Sequence, residues 1–471
     1  MIRLPELEAL DRPSQLLRIP EQMDVPLTPR VTRLVDARSF RRLAGIRQLG
    51  FVSLVYPGAM HTRFEHSLGV YRNALLFLRQ LLPQPDFPRQ VDSRWCEQFL
   101  VAALLHDLGH WPYCHPLEDL ELPEIPAHES LARRALETPE MSDLLRQDWG
   151  LTPDDVCDLL EGDDPTPAVK LARSLLSGPI DVDKLDYLTR DSLHCGVPYG
   201  RNFDASRLIS SLCLNSSGDG LALSTKGRTA AELFVFARYV MFSEVYWHHA
   251  ARSATAMFQR AFWELRGHLP IERLVTLSDE PFAQSMLAAG MHQPAGELCQ
   301  HLFGDRRQLY KRWGQFSCFA DREIFVQLAR QPFAKLVQVA AAVAAVLNRR
   351  WGTPVTPLDV LLDAPPPGLE VQFAIQVRDL KTETCRPLGQ LSPVVQALAE
   401  VQFDDYVKQV RLFLHPRLTE FAKELQPEPI LREAIGAVDF LPSESGHRRT
   451  HLPGNIRPAC FRLDSFRQPL L

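Results

Sequence analysis

The stretch WCEQFLVAALLHDLG, from Trp95 to Gly109, constrains this chain more than any other. Its residues are apolar on nearly every side of a helix, so it must run through the middle of a bundle and not along a surface. Yet it ends in an adjacent His106–Asp107 pair. Burying such a pair without partners costs several kcal/mol, so it needs hydrogen-bond partners or a cation. The residues that follow, HWPYCH, add His110 and His115. Neighbouring helix positions diverge by about 100°, so His106 and Asp107 can share an ion only if other helices complete the site.

The rest of the chain supplies such helices. FEHSLGVYRNALLFLRQLL sets Leu68, Tyr71, Leu75, Leu78 and Leu82 at three- and four-residue steps, an amphipathic helix. Another is predicted from about Asp181 to Asp191, and a stop follows Gly109 with Pro112 just beyond it. LISSLCL, NSSGDG and LALS read as a β-hairpin, and EVQFAIQV and VKQVRLFL as strands. The expected fold is mainly α: a helical bundle with a short hairpin insertion and a small C-terminal α+β appendage. We expect an extended N-terminal arm over 1–27, the helical domain over 28–270, a helical extension over 271–351, and the α+β region with its tail over 352–471.

Candidate ligands to complete the site are His61 and His66 upstream and Asp181, Asp183 and Asp186 downstream. A mixed histidine and carboxylate shell suits Mn, Fe, Ni, Zn or Mg. On the residues alone, a structural hydrogen bond is the commoner explanation of an isolated buried His–Asp pair.

Composition narrows the classes. At 471 residues, with 45% hydrophobic and 23% charged, the chain is neither disordered nor fibrous and has room for two or three units. With 52 basic against 57 acidic residues and a net charge of -5, a strongly basic nucleic-acid binder is not indicated. The nine scattered cysteines imply reduced thiols and a cytoplasmic setting. The longest apolar run, Val339 to Leu347, is too short to span a membrane and reads as a buried helix.

Four ordered segments are similar to the HD-domain superfamily of metal-dependent phosphohydrolases, and within it to the deoxynucleoside triphosphate triphosphohydrolase branch. They are IRQLG (46–50), YPGAMHTRFEHSLGVY (56–71), HDLGHWPYCH (106–115) and IDVDKLDYLTRDS (180–192), with a weaker match through ARYVMFSEVYWHHAAR. The resemblance implies His66, His106, Asp107 and Asp183 as metal ligands, with Asp181 and Asp186 in supporting or helix-capping roles. It implies His115 as general acid toward the leaving oxygen, His110 and His128 as further active-site histidines, and Glu118 as the acid orienting a histidine. Arg63 and Lys184 would contact the triphosphate, Tyr187 and Asp191 phosphate and sugar, and Gln48 and Leu49 the sugar edge.

Departures accompany the matches. Where relatives begin with Asp-Pro-x-His-Gly, this chain has IPEQMDVPLTPRV. It keeps Asp36 but has Arg41 and Ala44 where some relatives carry Gln and Arg to read an activating nucleotide. Around Tyr246 and His248 no substrate contact is assigned. His268, His292, His301, His415, His447 and His451 lack partners at metal spacing and read as surface or satisfied core residues. The arginine pairs at 41–42, 306–307, 349–350 and 448–449 read as solvated or subunit-contact groups.

The expected activity is metal-dependent hydrolysis of a dNTP to deoxynucleoside and inorganic triphosphate. The alternatives are another HD phosphohydrolase, acting on a nucleoside monophosphate, cyclic nucleotide or alarmone, and a non-catalytic nucleotide sensor. The expected partners are a nucleotide substrate and further copies of the chain, as a dimer or higher even assembly, with no membrane.

Overall fold

The computed structural model describes residues 2–21, 23–160, 166–352, 354–365, 374–398 and 407–438. The fold is mainly α, with small sheets at its margins. Its centre is the pair α1 (Arg63–Leu81) and α2 (Ser93–Leu105), which pack along one another. Asp92 starts α2, its side chain accepting the Trp95 N–H at 2.8 Å. From Phe99 to Leu105 every residue of α2 is buried, as its all-round apolar sequence requires. The short α3 (Cys114–Glu118) and α4 (His128–Leu136) follow. Helix α5 (Val182–His194) then returns along α1, its N-terminus capped by Asp181, which accepts the Lys184 N–H at 2.6 Å. Helices α6 (Arg228–Met241) and α7 (His249–Leu265) come next.

The N-terminal region is docked, not loose. Strands β1 (Gln15–Ile19) and β2 (Met23–Leu27) pair antiparallel. Ahead of them Glu6, fully buried, accepts from Thr28 Oγ1 at 2.7 Å and meets Arg30 at 2.6 Å. That buried carboxylate needs both partners, which ties residues 4–8 to the bundle.

The hairpin forms between β3 (Leu212–Leu214) and β4 (Leu221–Ser224); Leu208 to Ser210, read as strand, instead end a helix. In the C-terminal part β4 pairs in parallel with β7 (Gln376–Asp379), and β7 with β8 (Thr384–Pro387). A third sheet has the order β5-β9-β6, from Lys311–Phe316, Val410–Leu414 and Val360–Asp363. It packs against α9 (Phe333–Arg350), while α8 (Gly296–Phe303) packs against α7. The apolar run from Val339 is thus a core helix, and among the described residues no helix is long and apolar enough to cross a membrane. No disulfide joins the described cysteines. Val371 and Phe373, Cys460 and the tail histidines and arginines fall outside the described residues.

Candidate active site

Where α2 ends, the chain turns sharply through Asp107, Leu108 and Gly109, and the His110 N–H bonds back to the Asp107 carbonyl at 3.0 Å. A side chain at Gly109 would overlap the backbone of α4 at His128 and Ala132, so glycine here lets His128 approach the turn. Arg42 clamps the turn from outside, donating to the Leu108 and His110 carbonyls at 3.1 and 2.7 Å. This corrects the reading of the 41–42 pair as solvated groups: Arg42 is a structural clamp, and burial lowers its pKa to about 10. Its side chain satisfies carbonyls that a sharp turn leaves bare.

Four predicted donors meet at the turn. His66 Nε2 lies 3.3 Å from His106 Nε2 and 3.0 Å from Asp183 Oδ1. His106 Nε2 lies 3.4 Å from Asp107 Oδ1 and 3.9 Å from Asp183 Oδ1. A first-row ion bonded at about 2.1 Å holds adjacent donors about 3 Å apart, so the spacing suits one ion. The tautomers suit it too. His66 Nδ1 faces Asp186 Oδ2 at 2.8 Å, and His106 Nδ1 faces the Ala103 carbonyl at 3.0 Å. Both acceptors hold a proton on Nδ1, which leaves Nε2 as the nitrogen facing the cluster. Burial would raise the Asp107 pKa, but His110, Arg63 and His106 around it hold it well below the usual carboxylate range. The residues therefore fit a divalent metal.

The cluster forms the floor of a cavity of about 510 Å³. On one wall three imidazoles converge. His110 Nε2 and His115 Nε2 are 3.3 Å apart, and the rings of His110 and His128 are centred 4.1 Å apart. Glu118 joins them from behind, accepting the His128 N–H at 2.8 Å and lying 2.9 Å from His128 Nδ1 and 3.4 Å from His115 Nδ1. Burial works against charge on His128, but Glu118 outweighs it and raises the His128 pKa. His110 is the opposite case: burial, with Arg63 adding to it, holds its pKa well below the usual value.

The other wall is Gln48, Leu49, Tyr187, Asp191 and Tyr246. Asp191 is held from both sides, 2.8 Å from His61 Nε2 and accepting from the Tyr246 hydroxyl at 2.6 Å. His61, one of the two upstream candidates for the metal, is thus engaged elsewhere. Arg63 lines the cavity but donates from Nη1 to Asp107 Oδ2 at 2.8 Å, so it also orients a predicted ligand. Lys184 does not line the cavity: its ammonium pairs with Asp181 at 2.6 Å.

Residues 203–413 match the family described as the HD associated region. Among curated proteins the chain is 35% identical over 229 residues to uncharacterized protein YwfO of Bacillus subtilis, covering 48% of this chain and 50% of that protein. It is 26% identical over 348 residues to deoxynucleoside triphosphate triphosphohydrolase SAMHD1 of Xenopus laevis, covering 62% of this chain and 54% of that one. The matches span about half the length of these two relatives. A solved structure of a hypothetical protein from Aquifex aeolicus is 25% identical with a TM-score of 0.67, covering 87% of this chain and 99% of that one. A phosphohydrolase from Bacteroides thetaiotaomicron shares the fold at 21% identity and a TM-score of 0.63, over 86% and 100%. The likenesses are to an HD associated region, to a triphosphohydrolase and, in fold, to a phosphohydrolase.

One buried residue was not singled out from the sequence. Arg238 on α6 is 1% exposed, and its Nε and Nη1 find no hydrogen-bond partner among the described residues. It lies near Tyr187, whose pKa burial raises and Arg238 opposes. The signal was present: an arginine inside the apolar run AELFVFARYVMF poses the same question as the His–Asp pair on α2.

Proposed function

We propose that the chain is a metal-dependent hydrolase of deoxynucleoside triphosphates, releasing deoxynucleoside and inorganic triphosphate. The observation that carries this reading is the convergence of His66, His106, Asp107 and Asp183 on the floor of a cavity whose neighbouring groups are imidazoles and guanidinium. The volume suits a nucleotide-sized ligand. The likeness to the Xenopus triphosphohydrolase favours a dNTP among phosphate esters.

When bound, the ion would polarise a phosphoryl oxygen and lower the pKa of the attacking water. The chain's own groups do the rest. Arg63 is the cation for the triphosphate that lines the cavity, and Lys184 joins it by exchanging Asp181 for phosphate. His115 stands at the rim, its side chain more than half exposed, where a leaving oxygen can reach it. Glu118 and His110 hold its two nitrogens, and imidazole can give a proton near neutrality. Gln48 offers a buried Oε1 with no partner among the described residues, an acceptor for a sugar hydroxyl. Leu49 beside it is the apolar wall that disfavours a ribose 2′-hydroxyl. We further propose that the chain works as a homo-oligomer in the cytoplasm.

The test is product analysis. Protein stripped of metal and reloaded with Mn or Mg is incubated with the four dNTPs and four NTPs, and free inorganic triphosphate is measured. Triphosphate from dNTPs is the expected result. Orthophosphate alone, or turnover only of monophosphates or cyclic nucleotides, would move the chain to another HD-domain activity.

A further inference from the structure

The metal cluster has a buried support that reaches away from the cavity. Asp186 Oδ2 faces His66 Nδ1 at 2.8 Å, and both side chains are 1% exposed. The same carboxylate is gripped by Arg190, with Nε to Oδ2 at 2.8 Å and Nη2 to Oδ1 at 2.7 Å. Arg190 is fixed in turn: its Nη1 donates to Glu65 Oε1 at 2.6 Å and to the Pro20 carbonyl at 3.1 Å. Glu65 also faces His194 Nε2 at 2.9 Å. Opposite this carboxylate α1 carries Gly69, and a Cβ there would overlap both Asp186 and Arg190. The helix leaves room for a carboxylate that a side chain would push away.

We propose that Asp186, locked by Arg190 and admitted by Gly69, is the positioning residue that fixes the tautomer and ring orientation of His66 toward the metal. The inference rests on the metal reading of the cluster. A bidentate guanidinium–carboxylate pair has one favoured geometry. A carboxylate held that way can fix the imidazole beside it, and loss of such a partner weakens metal binding by about 10- to 100-fold.

The test uses full-length protein stripped of metal and titrated with Co²⁺, read by its visible bands and by affinity. Asp186→Asn should bind Co²⁺ about 10- to 100-fold more weakly with shifted bands. Arg190→Lys, which keeps the charge and loses the fork, should move both readouts in the same direction by less. It carries the test should the asparagine variant not fold. Leu75→Ala, a cavity in the core of α1, should lower Tm and leave affinity and bands unchanged. Asp183→Ala is the reference for a lost ligand. If Asp186→Asn and Arg190→Lys keep the wild-type bands and affinity while Asp183→Ala does not, the metal reading stands and this proposal falls. A Leu75→Ala protein shifted as far as Asp186→Asn would also overturn it, since general loosening would then suffice. Wild-type protein that takes up no cobalt overturns both.

Discussion

Several groups of histidine and carboxylate come together among the described residues, and two of them are alike in spacing but not in how their ring nitrogens are held. The first is His66, His106, Asp107 and Asp183. The second is Glu297 and His301, one turn apart on α8, with His415 just after β9. Their spacings are alike: in the second, Glu297 Oε1 lies 3.3 Å from His415 Nε2 and 3.9 Å from His301 Nε2. This corrects the expectation that His301 and His415 lack partners at metal spacing. The fold supplies one across 118 residues, which no local spacing displays. What separates the groups is where the protons sit. His415 Nδ1 accepts the Arg417 N–H at 3.1 Å, capping the turn Pro416–Leu418. Neutral imidazole carries one proton, so Nε2 holds it and offers it to Glu297. A cation brought there would take the ring's only proton, whereas at His66 and His106 the proton on Nδ1 stays with its acceptor and Nε2 is the nitrogen left for the ion. Residue type and distance do not make a metal site; the hydrogen bond on the far nitrogen does.

The largest expected effect would break this contrast outright. Asp183→Ala should take the metal content from about one ion per chain to near none and abolish turnover. Glu297→Ala should leave metal content untouched. Elemental analysis of both proteins, purified alike, decides it, and equal losses would erase the distinction between the two groups.

Next in size is the wall of imidazoles beside the first group. His115→Ala should lower kcat by about 10²- to 10⁴-fold with metal content and nucleotide Kd nearly unchanged. Arg63→Ala should behave differently. Its guanidinium lines the cavity and also holds Asp107 Oδ2, so nucleotide affinity and metal affinity should fall together. Single-turnover rates, nucleotide binding and metal titration on the two variants check this. A His115→Ala enzyme with normal single-turnover rates would pass the acid role to His110 or His128.

Much of this was legible in the sequence, and what was not shares a cause. The apolar surround of α2 announced a central helix, and the four motifs named residues that the fold does bring together. Periodicity carries such information because burial repeats with the helix. Arg42 and the His61–Asp191–Tyr246 chain were not read. Their partners are carbonyls or side chains from segments far along the chain, as Arg42 with Leu277 or Asp191 with Tyr246. The N-terminal region looked loose because the buried role of Glu6 depends on Arg30 and Thr28, and nothing local marks it.

A smaller effect sharpens the comparison through pH. Burial would lower the His66 pKa, but Asp183 and Asp186 outweigh it and raise it to about 10 in the metal-free protein. His301 goes the other way, lowered by burial against the pull of Glu297. Metal entering the first group must therefore displace a proton, and between pH 7 and 9 its apparent affinity should rise about tenfold per unit. In the metal-free protein the raised His66 pKa contributes stability that is full below about 6.5 and is lost as pH rises through 10. Manganese titrations at pH 7, 8 and 9 measure the slope. A flat profile would mean that His66 is already deprotonated.

The smallest effect lies in the second group. His415 is buried, caps a turn through Nδ1 and meets Glu297 through Nε2. Replacing it with alanine removes a cap, worth about 1 kcal/mol, and opens a small gap beside Tyr310, whose ring is centred 5.2 Å away. In a chain this long that should lower Tm by only about 2 °C. Asparagine at the same position keeps an acceptor for the Arg417 N–H and should recover much of the loss. Both variants should carry the wild-type metal content, with unchanged cobalt bands. A His415→Ala protein that loses an ion would show that the proton on Nε2 yields to a cation, and the contrast between the two groups would then rest on affinity alone.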